Sequence, residues 1–210
     1  MKILIIGTSR SGTTSLINGI YNQNFYKISE PFNDRFRKAQ INTIDFSLHT
    51  NLCIKSLVFQ KPHNHTDAIS FYKNFSLNFD KTILLDRSNT EEHWFSNINL
   101  HYKNKLKEKL KLDSWPSHDK WYPSDITKKI EDDVISSGWY EFFKKEKALI
   151  QSLSKTLQID ISLYETLYGD DRSISLDMIE SWGLTLDCKK LNSYLNPKYK
   201  YLQKNPKKVI

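Results

Sequence analysis

Gly7 and Gly12, followed by Thr13, Thr14 and Ser15, have the spacing of a phosphate-binding loop. The pattern is G-x-x-x-x-G-K-[ST] between a strand and a helix. Thr14 fills the Ser/Thr place, but Thr13 stands where the pattern has lysine, and Arg10 comes three residues earlier. Glycines let the backbone approach an anion closely, and a helix N-terminus offers it unpaired N–H groups and partial positive charge. Ser11, Gly12, Thr13, Thr14 and Ser15 therefore offer backbone and hydroxyl donors to a phosphate, and Arg10 adds a fixed charge with forked donors. The alternative is a strand–turn–helix whose Gly, Ser and Thr serve only as turn residues and caps. The density of hydroxyls between an apolar run and a helical one favours the phosphate.

The missing lysine divides the chemistry. Kinases and ATPases move a phosphoryl group with the help of that lysine, Mg²⁺ and an acidic metal ligand. A sulfuryl group carries one less charge and suits arginine, lysine and backbone donors without a metal. Asp86 is the one acidic residue at an expected strand end that could serve as a metal ligand.

The elements that must position this loop read as alternating strands and helices. Residues 3–6 form a continuous apolar run, as in a buried parallel strand, and 13–21 read as the helix after the loop. Further strands are expected over 25–29, 52–58, 82–85 and 160–164. Helices are expected over 67–79, where apolar residues recur at helical spacing, and over 90–109, with Glu91 and Glu92 in the first turn. Helical periodicity continues over 124–158 with a break near Gly138, and over 176–182 before Gly183. Such alternation implies βαβ units in one α/β domain spanning 1–210, with a mostly parallel sheet flanked by helices. Residues 112–124, with Trp115, His118, Trp121 and Tyr122, read as an aromatic loop.

The chain resembles the sulfotransferases that use 3′-phosphoadenosine 5′-phosphosulfate (PAPS), most closely their bacterial and carbohydrate-type branch. Arg10-Ser11-Gly12-Thr13-Thr14 is similar to the family loop R-[ST]-G-[ST]-[ST] that binds the 5′-phosphosulfate. Ile83-Leu84-Leu85-Asp86-Arg87, followed by Ser96, resembles the strand, arginine and helix serine that bind the 3′-phosphate. Ser88-Asn89 replaces the usual proline there. Read alone, Arg87 could instead be a surface ion-pair partner of Glu91 or Glu92. Residues 161–167 resemble the family's late strand with its Tyr-Glu-x-Leu ending, where Glu165 would orient loops. Asn196-Pro197-Lys198-Tyr199-Lys200 resembles the basic tail that closes over the nucleotide. The resemblance implies a three-layer domain like that of P-loop NTPases, PAPS as co-substrate, no metal, and a hydroxylated acceptor such as a sugar, a glycolipid or another small molecule.

Sulfuryl transfer needs a base for the acceptor proton and positive donors on the moving group and the departing oxygen. Arg10, within the loop, suits the leaving side. Glu30, in Ser29-Glu30-Pro31-Phe32, is similar to the glutamate base of bacterial members; on residues alone it is equally a turn glutamate. Lys55 lies inside an apolar run, where it needs a partner or an anion, or must snorkel. In the family a lysine at this strand end approaches the sulfuryl group. His63 is the reserve base, because cytosolic members use a histidine soon after the strand lysine. The acceptor pocket is expected from loops within 32–50 and 112–124.

Composition sets the frame. The chain has 210 residues, 39% hydrophobic and 13% aromatic, which suits a folded core and excludes a disordered chain. Net charge +7 admits nucleic acid, anionic membranes or a small polyanion as partner. The basic stretch 103–111 reads as a solvated helix face, and 198–208 as equally a ligand contact. Cys53 and Cys188 form no disulfide framework and no metal spacing, so buried thiols in a reducing cytoplasm are expected. The apolar run after Met1 is too short for a signal peptide or membrane span. Two other readings compete: a P-loop kinase or nucleotide-binding protein with a degenerate loop, and a nucleic-acid-binding domain using the basic tail.

Overall fold

The alternating apolar runs fold into a five-stranded, all-parallel sheet in a computed structural model that describes residues 1–20, 25–33, 46–62, 64–111, 132–133, 136–168 and 175–185. The chain divides into two compact units, one of Met1–Ser88 with Glu146–Leu195, the other of Asn89–Lys145 with Asn196–Ile210.

The first unit contains the sheet. Its strands are β1 (Lys2–Gly7), β2 (Tyr26–Ser29), β3 (Leu52–Leu57), β4 (Lys81–Asp86) and β5 (Ile161–Leu163), in the order β2-β3-β1-β4-β5. β1 is the centre because both its faces are apolar. Ile3 and Ile5 face a core shared with Leu16 and Ile17 of helix α1 (Thr13–Gly19) and with Ile20, which follows it. Leu4 and Ile6 face the opposite core, with Phe71 and Tyr72 of α2 (Ala68–Phe75). This period of two with both faces buried is what covering by helices on each side requires. Three layers result: helices, sheet, helices.

Several element ends differ from the sequence expectation. Asp67 is the cap of α2, accepting from Ser70 N at 2.8 Å, and the helix gives way to a 3-10 turn at Ser76–Asn78. The larger difference is at Tyr164, expected within a strand. β5 pairs with β4 only from Leu84 to Asp86, where β4 ends. With no neighbour left, the chain coils into the short helix α5 (Tyr164–Leu167), closed by Tyr168 N donating to Tyr164 O at 2.7 Å. Helix α6 (Leu176–Ser181) follows, and its Ile179 packs in the α1-side core.

The second unit is built on α3 (Thr90–Lys109), whose Trp94, Ile98, Tyr102 and Leu106 form a buried stripe with Phe143. Lys105, Lys109 and Lys111 are exposed, while Lys103 and Lys107 are half-buried. Helix α4 (Trp139–Leu157) begins in this unit; its Ile150 and Leu153 lie in the α2-side core of the first. Among the described residues no helix is long and apolar enough to cross a membrane. Cys53 is a buried free thiol, pushed up to about 12 by burial; Cys188 lies outside the described residues.

Candidate functional site

The candidate site lies in the first unit, at the carboxyl edge of the sheet, the side on which open α/β sheets bind ligands. Thr8 N continues the ladder to Leu85 O at 3.3 Å, and then the chain turns. Thr8 O accepts from Ser11 N at 3.3 Å and from Ser11 Oγ at 2.7 Å. The turn needs two left-handed residues, Arg10 at φ 66° and Gly12 at φ 85°. Gly12 serves that geometry without strain; Arg10 does not, and non-glycine residues held there mark a constrained loop.

Both glycines also lack room for a side chain. A Cβ on Gly7 would lie 2.4 Å from Thr13 Cγ2 and 2.8 Å from Leu85 O. One on Gly12 would lie 2.7 Å from Tyr168 Cε2 and 2.9 Å from Tyr164 Cδ2. Because the Leu85 carbonyl is part of the sheet, Gly7→Ala must displace the loop. We expect it to cost about 1–3 kcal/mol, read by denaturant unfolding; an unchanged midpoint would mean that the loop is not packed this closely. Ser11 and Thr13 are buried in this packing, while Thr14 is exposed. Thr13, in the lysine position, thus packs over Gly7.

A second group assembles beside the loop. Ser29 of β2 registers with Lys55 of β3, and Glu30 N donates to Lys55 O at 2.6 Å. This register sets Glu30, at φ 52°, against the Lys55 ammonium, with which its Oε1 forms an ion pair. Asn33 Nδ2 and Gln60 Nε2 donate to Glu30 Oε2 at 2.9 and 3.0 Å. Burial alone would raise the Glu30 carboxyl, but the Lys55 charge and these three donors outweigh it and hold it below the usual carboxylate range. Lys55 is only 2% exposed; burial pushes its ammonium down, Glu30 opposes this, and the charge of Arg10 pushes it down further. Arg10, Lys55 and Glu30 are therefore one electrostatic group.

A third group closes the β4 side. Asp86 is buried, accepting from Thr8 Oγ1 at 2.7 Å and pairing with Lys147 Nζ at 2.6 Å. Lys147 also donates to Arg87 O at 2.5 Å. Glu146 Oε1 accepts from Ser9 N at 3.2 Å and Ser9 Oγ at 2.7 Å. Arg87 pairs through Nε with Glu165 Oε1 at 3.5 Å, and its Cζ lies 4.4 Å from the Tyr164 ring centroid. Ser88 N donates to Glu165 Oε2 at 2.8 Å, and Tyr168 OH donates to Gly12 O at 3.2 Å. The unexpected helical turn at 164–167, with Tyr168 after it, thus ties Arg87 and the loop after β1 to one segment.

Of the residues expected from sequence, Arg10 to Ser15, Glu30, Lys55 and Arg87 all belong to this unit. Ser96 lies on α3 in the other unit. His63, Lys198, Tyr199, Lys200 and residues 112–124 lie outside the described residues. Sequence reading missed Gln60, Asn33, Glu146 and Lys147. Glu146 did leave a signal: it interrupts the helical spacing of Phe143, Ile150 and Leu153, all buried.

No protein-family model, curated protein or solved structure matches the chain.

Proposed function

We propose that the chain is a sulfotransferase that moves a sulfuryl group from PAPS to a hydroxyl of a carbohydrate, glycolipid or other small acceptor. The observation that carries this reading is the electrostatic group of Arg10, Lys55 and Glu30 beside a phosphate loop whose lysine position holds a buried threonine. Two cations and a carboxylate suit the removal of a proton and the departure of an anion, with no metal required.

In the proposed step the acceptor oxygen forms a bond to sulfur and its proton passes to the Glu30 carboxylate. The bond between sulfur and the 5′-phosphate oxygen breaks, and that oxygen keeps the electron pair. Arg10 and Lys55 neutralise it as charge develops. Because its carboxyl is held low, Glu30 is ionised at neutral pH and ready to accept. Its weak basicity is met by the rise in acidity of the acceptor oxygen as the S–O bond forms. Arg87, whose Cζ lies 4.4 Å from the Tyr164 ring centroid, is assigned to the 3′-phosphate. The buried free thiol of Cys53 suits a cytoplasmic location.

The test is binding of adenosine 3′,5′-bisphosphate in the absence of Mg²⁺. At about 100 times its dissociation constant it should add roughly 2.7 kcal/mol of stability, seen as a thermal shift. Arg87→Ala should weaken this ligand far more than its 5′-phosphate analogue; equal weakening removes Arg87 from the 3′-phosphate. A response to ATP with Mg²⁺, and none to the bisphosphate, overturns the reading in favour of a degenerate P-loop kinase or nucleotide-binding protein. One observation favours that second reading: Asp86 ends β4 beside the loop, hydrogen-bonded to Thr8. Lys147 already neutralises it, so a metal there would have to displace an ammonium.

A further inference from the structure

Glu146 is 99% removed from solvent, yet its partner is the phosphate loop rather than a cation: both the amide and the hydroxyl of Ser9 donate to its Oε1. Ser9 immediately precedes Arg10, whose left-handed backbone aims the next turn of the loop. Holding Ser9 by two hydrogen bonds therefore fixes where Arg10 starts. The groups facing this carboxyl are Ser9 from the loop and Asp86 from β4. Lys147, its neighbour on α4, is committed to Asp86 and the Arg87 carbonyl.

We propose that Glu146 is a positioning residue that couples anion binding at the phosphate loop to uptake of a proton. The inference rests on the loop being an anion site, as in the function proposed above. A carboxylate behind an anion site opposes the ligand's charge, whereas a neutral carboxyl still accepts both Ser9 hydrogen bonds. Burial foremost, with the nearby Asp86 charge, pushes the Glu146 carboxyl up to about 7, so both forms are present near neutrality. An anion in the loop favours the neutral form further, and by linkage the proton favours the anion.

The experiment is isothermal titration of the full chain with adenosine 3′,5′-bisphosphate from pH 6 to pH 8.5, comparing wild type with Glu146→Gln. Glutamine keeps the Ser9 acceptor and cannot ionise. If the bound anion raises the Glu146 carboxyl by one pH unit, wild-type affinity falls about sevenfold more over this range than the variant's. The ligand's own titration is common to both proteins and drops out of the comparison. Wild type is also titrated with inorganic sulfate, which keeps its charge throughout, in two buffers of different ionisation enthalpy; proton uptake is expected. Parallel pH profiles for the two proteins, or no uptake with sulfate, overturn the coupling. Absence of binding by the bisphosphate at every pH instead overturns the anion-site reading, and the coupling with it.

Discussion

Lys55→Met lowers the free energy of unfolding by about 3 kcal/mol, and adding Glu30→Gln recovers most of the loss. The size follows from burial. Lys55 is 2% exposed and Glu30 27%, so neither charge is well served by water once the other is gone. Methionine fills the lysine stem's space, which leaves loss of the charge as the principal effect. Glu30 would keep Asn33 and Gln60 as donors but lose the cation that offsets its burial. Glutamine at 30 removes that uncompensated charge, which is why the double variant is the milder one. A double-mutant cycle in urea reads the coupling directly. A loss below about 1 kcal/mol for Lys55→Met would place the pair among weak surface ion pairs. The pH dependence has a fixed sign. With its folded carboxyl below the ordinary 4.5, Glu30 contributes stability that is full above that value and is lost as pH falls through the lowered one. Glu30→Gln removes this contribution to acid sensitivity.

That pair also marks where sequence stops informing. Lys55 inside an apolar run announces the need for a partner, and Glu30 beside a proline after a strand is conspicuous by itself. What joins them is the parallel pairing of Ser29 with Lys55, a register set between two strands whose contact is non-local. The strands were legible because both-face burial writes itself as unbroken apolar runs, as in Ile3 to Ile6. The helix at Tyr164–Leu167 was not, because Ile161-Ser162-Leu163-Tyr164 has strand composition throughout. The end of β4 at Asp86, not any residue in that segment, decides where pairing stops. Glu146 shows the converse. A glutamate on a helix reads as solvated by default, and only its place in a buried apolar stripe betrays it.

If the chain carries out the sulfuryl transfer proposed above, Arg10→Ala should reduce turnover on the order of 10²–10³-fold, the usual effect of losing one donor aimed at developing charge. Nucleotide affinity should fall much less, because the loop's backbone donors remain and the ground state carries its charge farther from the breaking bond. The variant also tests the coupling between the two cations. Arg10's charge is one of the forces holding the Lys55 ammonium down, so its removal lets that ammonium rise. Lys55 then stays charged to higher pH, and an alkaline limb of the rate profile that reports Lys55 moves upward in Arg10→Ala. Arg10→Lys separates charge from shape: it restores a cation but not the planar fork. Partial recovery of turnover with the alkaline limb returned downward is the expected result. Equal loss of turnover and nucleotide affinity in Arg10→Ala would mean that Arg10 binds the ground state alone, and would move the leaving-oxygen role to Lys55.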